Sequence, residues 1–211
     1  MEKDLFWEFS ARARELHGNI EGDWDILFAM QHYGTPTRLL DWTEILGVAV
    51  YFATLGLAAT GGLANVRREI SPPCVWVLNP YAMNKWSGWG DDLVYPANLG
   101  SYEDLLGGDK IGWEKPVAIY PRQRNQRVHA QQAWFTIHGD KFMPIEGFGK
   151  HGTFVKKVTL PFEALPAARE FLLHAGLNHF TLFGDLPSLS KHLIEKNELF
   201  LAPPLQPKRN T

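Results

Sequence analysis

The chain has 211 residues, 45% of them apolar and 21% charged, with a formal net charge of −2. That length suits one domain with at most a small appendage, and the apolar fraction is enough for a packed core. The charge balance excludes a nucleic-acid binder held by bulk electrostatics, while leaving room for a local basic patch. The single cysteine, Cys74, excludes an intrachain disulfide framework and fits a reducing compartment.

The opening MEKDLFWEFSARAR is charged and has no apolar h-region, so no signal peptide is expected. Leu5, Phe9, Ala13 and Leu16 recur at helical spacing and predict a helix over 4–17, broken by HGNIEG at 17–22. Asp23 is then the expected N-cap of a second helix, with Trp24, Leu27, Phe28 and Gln31 on one face. Gly34 sits where a helix C′ glycine belongs, and Thr35-Pro36 stops continuation. Arg38-Leu39-Leu40 reads as a short extended segment. Asp41-x-x-Glu44 reads as a capping box that opens an apolar helix over roughly 42–59. The uncharged run 45–66 is long enough for a membrane span, but Gly61-Gly62 shortens it and Tyr51, Thr54 and Thr60 dilute it. A buried core helix in a soluble, cytoplasmic chain is the expectation.

CVWVLNP (74–80) predicts a strand buried on both faces. Residues 81–115 form a long irregular excursion, rich in glycine and tryptophan. Strands are expected at 116–121, 133–139 and 153–160, the last half-exposed because its polar and apolar residues alternate. Helices follow at 166–175, stopped by Gly176, and at 185–195, capped by Asp185 or Ser188. The order predicts an α+β fold, with helices around a small mixed or antiparallel sheet and a helical N-terminal half. Residues 1–200 read as a single domain and 201–211 as a Pro-rich tail.

Chemistry concentrates in two places. Within QHYGTPTRLLDWT (31–43), His32 stands at a helix C-terminus, flanked by Gln31 and Tyr33. Arg38 has two readings: an anion ligand, because a planar five-donor fork suits phosphate, or a tie for buried backbone carbonyls. Asp41 likewise is either a helix cap or part of a site. In the second place, 121–135, Arg122, Arg124 and Arg127 form a local basic cluster, followed by Gln131, Gln132, Trp134 and Phe135. Such a run can grip a nucleotide through phosphate contacts and stacking, or can be a solvated loop with one buried glutamine. No HExxH, CxxC, P-loop or GxSxG pattern occurs, so no metal site is expected.

QHYGTPTRLLDWT followed by the V-x-x-YFA helix (48–53) resembles the signature of the FRG domain family. VWVLNP, QRVHAQQAWFTIHG and LNHFTLFGDLPSLSKHL resemble later segments of that family, extending the likeness over roughly 5–195. The family's N-terminal aromatic-Arg-Gly motif is absent, Ala133 stands where glycine is common, and Gly184 where proline is usual. The resemblance implies a bacterial or phage protein of a defence or toxin system that binds a nucleotide or nucleic-acid phosphate. It also resembles the three-part layout of ADP-ribosyltransferases, which implies NAD as cofactor. By that resemblance Arg38, Gln131 and His32 would be catalytic. Tyr33, Thr37, Asp41, Trp42, Arg127 and Gln132 would hold the ligand. The other functional class it admits is a non-catalytic interaction module with a protein partner, such as an antitoxin, an inhibitor or a host-factor binder.

Overall fold

A computed structural model of the chain describes residues 1–16, 20, 22–55, 57, 71–108, 110–121, 126–141, 143–148 and 154–201. Helix α1 (Glu2–Leu16) opens with Glu2 and Asp4 in its first turn, where acidic side chains oppose the positive helix end. Helix α2 (Asp23–His32) starts one residue earlier than expected. Gly22 is its N-cap, with the Asp25 carboxylate accepting from the Gly22 amide at 3.2 Å. It ends at Tyr33, and Gly34 takes φ +78°, a left-handed turn that glycine adopts without strain.

Strand β1 (Leu39–Thr43) follows directly, and here the expected capping box is not formed. Asp41 lies inside the strand, opposite Phe135, and the next helix, α3 (Leu46–Thr54), begins only after Ile45, which offers no side-chain cap. Thr43 turns the corner instead: its hydroxyl accepts from the Ile45 amide at 3.0 Å and donates to the Gln131 carbonyl at 2.6 Å. Gly61 and Gly62 lie outside the described residues, as do Arg122 and Arg124. Among the described residues no helix is long and apolar enough to cross a membrane.

Strand β2 (Cys74–Leu78) leads into α4 (Pro80–Ser87), capped by Asn79, whose side chain accepts from the Ala82 amide at 3.0 Å. The 81–115 stretch is thus more regular than its sequence suggests. It holds most of α4, a 3-10 turn at Pro96–Leu99 and helix α5 (Tyr102–Gly107) capped by Ser101. Strands β3 (Val117–Ile119) and β4 (Ala133–Ile137) flank helix α6 (Gln126–Gln131). Strand β5 (Val155–Thr159), helix α7 (Leu165–His174), short helix α8 (His179–Phe183) and helix α9 (Leu186–Leu201) complete the chain. The Asp185 carboxylate caps α9 by accepting from the Ser188 amide at 2.7 Å.

The architecture is α+β with two antiparallel sheets, ordered β1-β4-β3 and β2-β5. The central β4 places Ala133, Phe135 and Ile137 on one face, against the main core of Phe6, Trp24, Leu27, Met30 and Tyr102. Burying each large apolar side chain there contributes about 1.5–3 kcal/mol. Strand β2 departs from the doubly buried strand expected. Val75 is buried but Val77 is 53% exposed, because a two-stranded antiparallel sheet packs only one face. Strands β1 and β2 are edge strands of their sheets, and α3 packs against both.

Candidate functional site

Between β1, β2, α2, α3 and α6 lies a cavity of about 470 Å³. Its walls are largely apolar and aromatic: Phe28 from α2, Trp42 from β1, Phe52 from α3, Trp76 from β2 and Phe135 from β4. The polar groups on the wall include Gln31, His32, Asp41, Arg127 and Gln131. Five of the residues expected to be functional, His32, Asp41, Trp42, Arg127 and Gln131, therefore meet around one space. They come from three elements, α2, β1 and α6, spread over almost a hundred residues of chain.

Asp41 is held by a directed chain of hydrogen bonds. The Leu39 amide donates to the Thr37 hydroxyl at 3.0 Å, that hydroxyl donates to Gln31 Oε1 at 2.5 Å, and Gln31 Nε2 donates to Asp41 Oδ2 at 2.6 Å. The direction fixes the Gln31 amide, since a flip would set its oxygen against the carboxylate. Asp41 is an exposed residue of β1, with its carboxylate set against the cavity wall. Desolvation there pushes its pKa above the ordinary carboxylate value, against the opposing pull of Gln31 and the Arg127 charge.

Arg127 sits on the first turn of α6. Its Nη1 donates to the His32 carbonyl at 2.8 Å, and its guanidinium carbon lies 4.2 Å from the centre of the Phe183 ring. Burial pushes the Arg127 pKa below the ordinary arginine value, with Asp41 and Asp185 pulling the other way. Gln131, also on α6, is buried and donates from Nε2 to the Leu182 carbonyl at 3.1 Å. It anchors α8 and contributes part of the cavity wall. Beside it, the Tyr51 hydroxyl and His179 Nδ1 are 2.8 Å apart, joining α3 to α8. Burial and the nearby Lys191 charge lower the His179 pKa, and burial pushes Tyr51 up to about 12.

Arg38 does not share this cavity. Its guanidinium is 7% exposed as a residue, with Nε donating to Glu2 Oε1 at 2.8 Å and Nη2 to Glu2 Oε2. Nη1 donates to the carbonyls of His138 and Gly139 at 3.1 and 3.3 Å. The Tyr102 hydroxyl completes the cluster by donating to Glu2 Oε1 at 2.6 Å. Burial disfavours the charged Arg38, but the hydrogen-bonded Glu2 carboxylate outweighs it and raises the pKa. Of its two readings from sequence, the tie for buried carbonyls is the geometry found. Arg38 and Gln131 thus do not line one cavity: Gln131 lines the first, while Arg38 pairs with Glu2 of α1 and borders a second, neighbouring hollow.

The remaining expected residues lie around the rim or elsewhere. Thr37 belongs to the chain that orients Asp41 and borders a second, more open hollow of about 540 Å³ that shares Leu40, Trp42 and Trp76 with the first. Tyr33 is 55% exposed and stacks edge-on against His32, outside the cavity wall. Gln132 is exposed at φ +42°, the left-handed bend that ends α6 and starts β4. Sequence reasoning missed Trp76 and Phe52 as wall residues, and Glu2 and Tyr102 as partners of Arg38. Among the described residues no group of histidine, cysteine and carboxylate side chains could hold a metal ion.

Residues 1–60 match the family model described as FRG domain. The match spans α1, α2, β1 and α3, and so supplies Gln31, His32, Asp41 and Trp42. Arg127, Gln131 and Trp76 lie beyond it. No curated protein and no solved structure matches the chain.

Proposed function

Starting from a chain whose first sixty residues carry the FRG domain match, we propose that the protein binds the ring-bearing end of a nucleotide in the cavity between β1 and β2. One observation carries this reading. Separate elements deliver a carboxylate, a guanidinium, a carboxamide and several aromatic rings to a single space of about 470 Å³. That volume falls in the roughly 300–1,000 Å³ range of small-ligand sites, and apolar walls with few directed polar groups are their usual chemistry. The aromatic rings suit a flat heterocycle, and the shared Trp42–Trp76 wall lets the rest of the ligand run toward the second hollow. NAD in a bacterial or phage defence or toxin setting is the case that the FRG resemblance points to. In an enzymatic version, ADP-ribosyl transfer from NAD, Gln131 contributes no charge to an oxocarbenium ion, since it is neutral and bonded to α8.

Calorimetric titration with NAD, ATP and GTP, followed in parallel by quenching of Trp42 and Trp76 fluorescence, tests the binding. Heat and quenching with at least one nucleotide are expected. Silence from all three at millimolar concentration would overturn the reading. Incubation with labelled NAD and cell extract then tests the enzymatic version, which fails if neither nicotinamide release nor label transfer is seen.

The second reading, a non-catalytic interaction module, is supported by the burial of Arg38 against Glu2, which engages its Nε and Nη2 with that carboxylate. It calls for a stoichiometric protein partner in pull-down and no turnover of NAD. Recovery of no such partner counts against it.

A further inference from the structure

Asp41 and Arg127 stand on the wall of one cavity and feel one another's charge, yet no ion pair joins them among the described residues. Each is fixed from behind. The Leu39–Thr37–Gln31 chain holds the carboxylate through Oδ2, and the His32 carbonyl with the Phe183 ring holds the guanidinium. A carboxylate oxygen accepts more than one hydrogen bond, and only one of the five N–H donors of Arg127 goes to His32. The cavity therefore presents an acceptor and a donor, both oriented before a ligand arrives.

We propose that Asp41 and Arg127 read the neutral edge of a flat ring, one that presents a hydrogen-bond donor beside an acceptor, as in an aryl carboxamide or the edge of a nucleobase. This deepens the nucleotide reading and rests on it. The ligand's N–H donates to Asp41, and its carbonyl or ring nitrogen accepts from Arg127. A charged edge would set one like charge against Asp41 or Arg127, so the opposite fixed charges favour a neutral donor–acceptor edge. Phe28, Trp42 and Phe135 bury the ring faces. The whole edge is read by side chains from two regions, 31–41 and 127, only the first of which lies in the FRG match.

Two ligand pairs test this on the full chain, each pair keeping shape while removing the donor. Nicotinate replaces the nicotinamide NH2 with O−, and purine riboside lacks the N6 amine of adenosine. Binding of the donor-bearing member should be about tenfold tighter or more in at least one pair, the scale of a hydrogen bond to a charged group. The pair that responds identifies the source, carboxamide or nucleobase. Asp41→Asn should shrink the nicotinamide preference, because the new amide can donate to a carboxylate, and Arg127→Gln should weaken both members together. Circular dichroism and melting curves of both variants must match the wild type, which the near-isosteric asparagine favours. If NAD binds but neither pair discriminates and Asp41→Asn changes nothing, this inference falls while the nucleotide reading stands. If no nucleotide binds at all, both fall.

Discussion

Replacing Arg38 with alanine separates a structural from a ligand-binding role for the residue that the sequence makes most conspicuous. The side chain is 6% exposed and Glu2 21%, so the variant leaves a partly buried carboxylate without its cation. It also strips the His138 and Gly139 carbonyls of their donor. Removing one partner of a buried pair costs about 3–5 kcal/mol, and the water that still reaches Glu2 places the loss near the lower end, about 3 kcal/mol. For a chain of this size that corresponds to a fall in Tm of roughly 6–12 °C. Glu2→Gln should cost less, and the double variant should lose less than the two singles summed, because both disturb one interaction. Urea unfolding and thermal melts measure the stability, with nucleotide titration on the same samples. An Arg38→Ala protein that melts within about 2 °C of wild type but no longer binds nucleotide would refute the structural assignment.

Two further outcomes follow from polar groups outside the cavity. Asn84 is fully buried, donating to the Asp92 and Ala118 carbonyls at 2.7 and 2.9 Å and accepting from the Ala118 amide at 2.7 Å. Asn84→Leu leaves the Ala118 amide without its acceptor, while the Ala118 carbonyl keeps the Val94 amide at 3.1 Å, and should lower unfolding free energy by about 1–3 kcal/mol; an unchanged urea midpoint would contradict this. His179 has a folded-state pKa below the 6.5 of an ordinary histidine, first through burial and then through Lys191. The folded protein then binds fewer protons there than the unfolded chain, so this group's contribution is present above pH 6.5 and is lost as the pH falls from there through the lower folded-state pKa. NMR titration of the His179 ring should give a midpoint below 6.5, and a value at or above it would disprove the shift.

Elements with strong local periodicity were legible to within a few residues. Helix α1, α2 and α7, and strands β4 and β5, follow from apolar spacing plus a stop such as Gly34 or Gly176. The failures share a physical cause. Asp41-x-x-Glu44 satisfies a local capping pattern, but pairing of Asp41 with Phe135 and of Thr43 with Ala133 draws the segment into a sheet. Ninety residues of sequence separate those partners, and no local signal encodes them. Helix α8 is only five residues long, below the length at which periodicity registers. Its capping box, Asn178 with Thr181, is nevertheless written in the sequence and was the one available clue. The partners of Arg38 were illegible for the same reason as β1, because Tyr102 meets Glu2 across a hundred residues.

The candidate site was half legible in that sense, and the division has a consequence for chemistry. The recognisable block at 31–43 positions a carboxylate and its supporting amide, while the opposite charge that acts on that carboxylate comes from outside the block. That counterweight is Arg127, and its orientation depends on the His32 carbonyl and on Phe183 of α8. Helix α8 is in turn seated by Gln131 and by the Tyr51–His179 contact. The guanidinium thus reports on residues from α2, α3, α6 and α8 together. A chain could keep the whole FRG-matched segment and still present Arg127 differently through α8, because the Phe183 ring centre lies 4.2 Å from its guanidinium carbon.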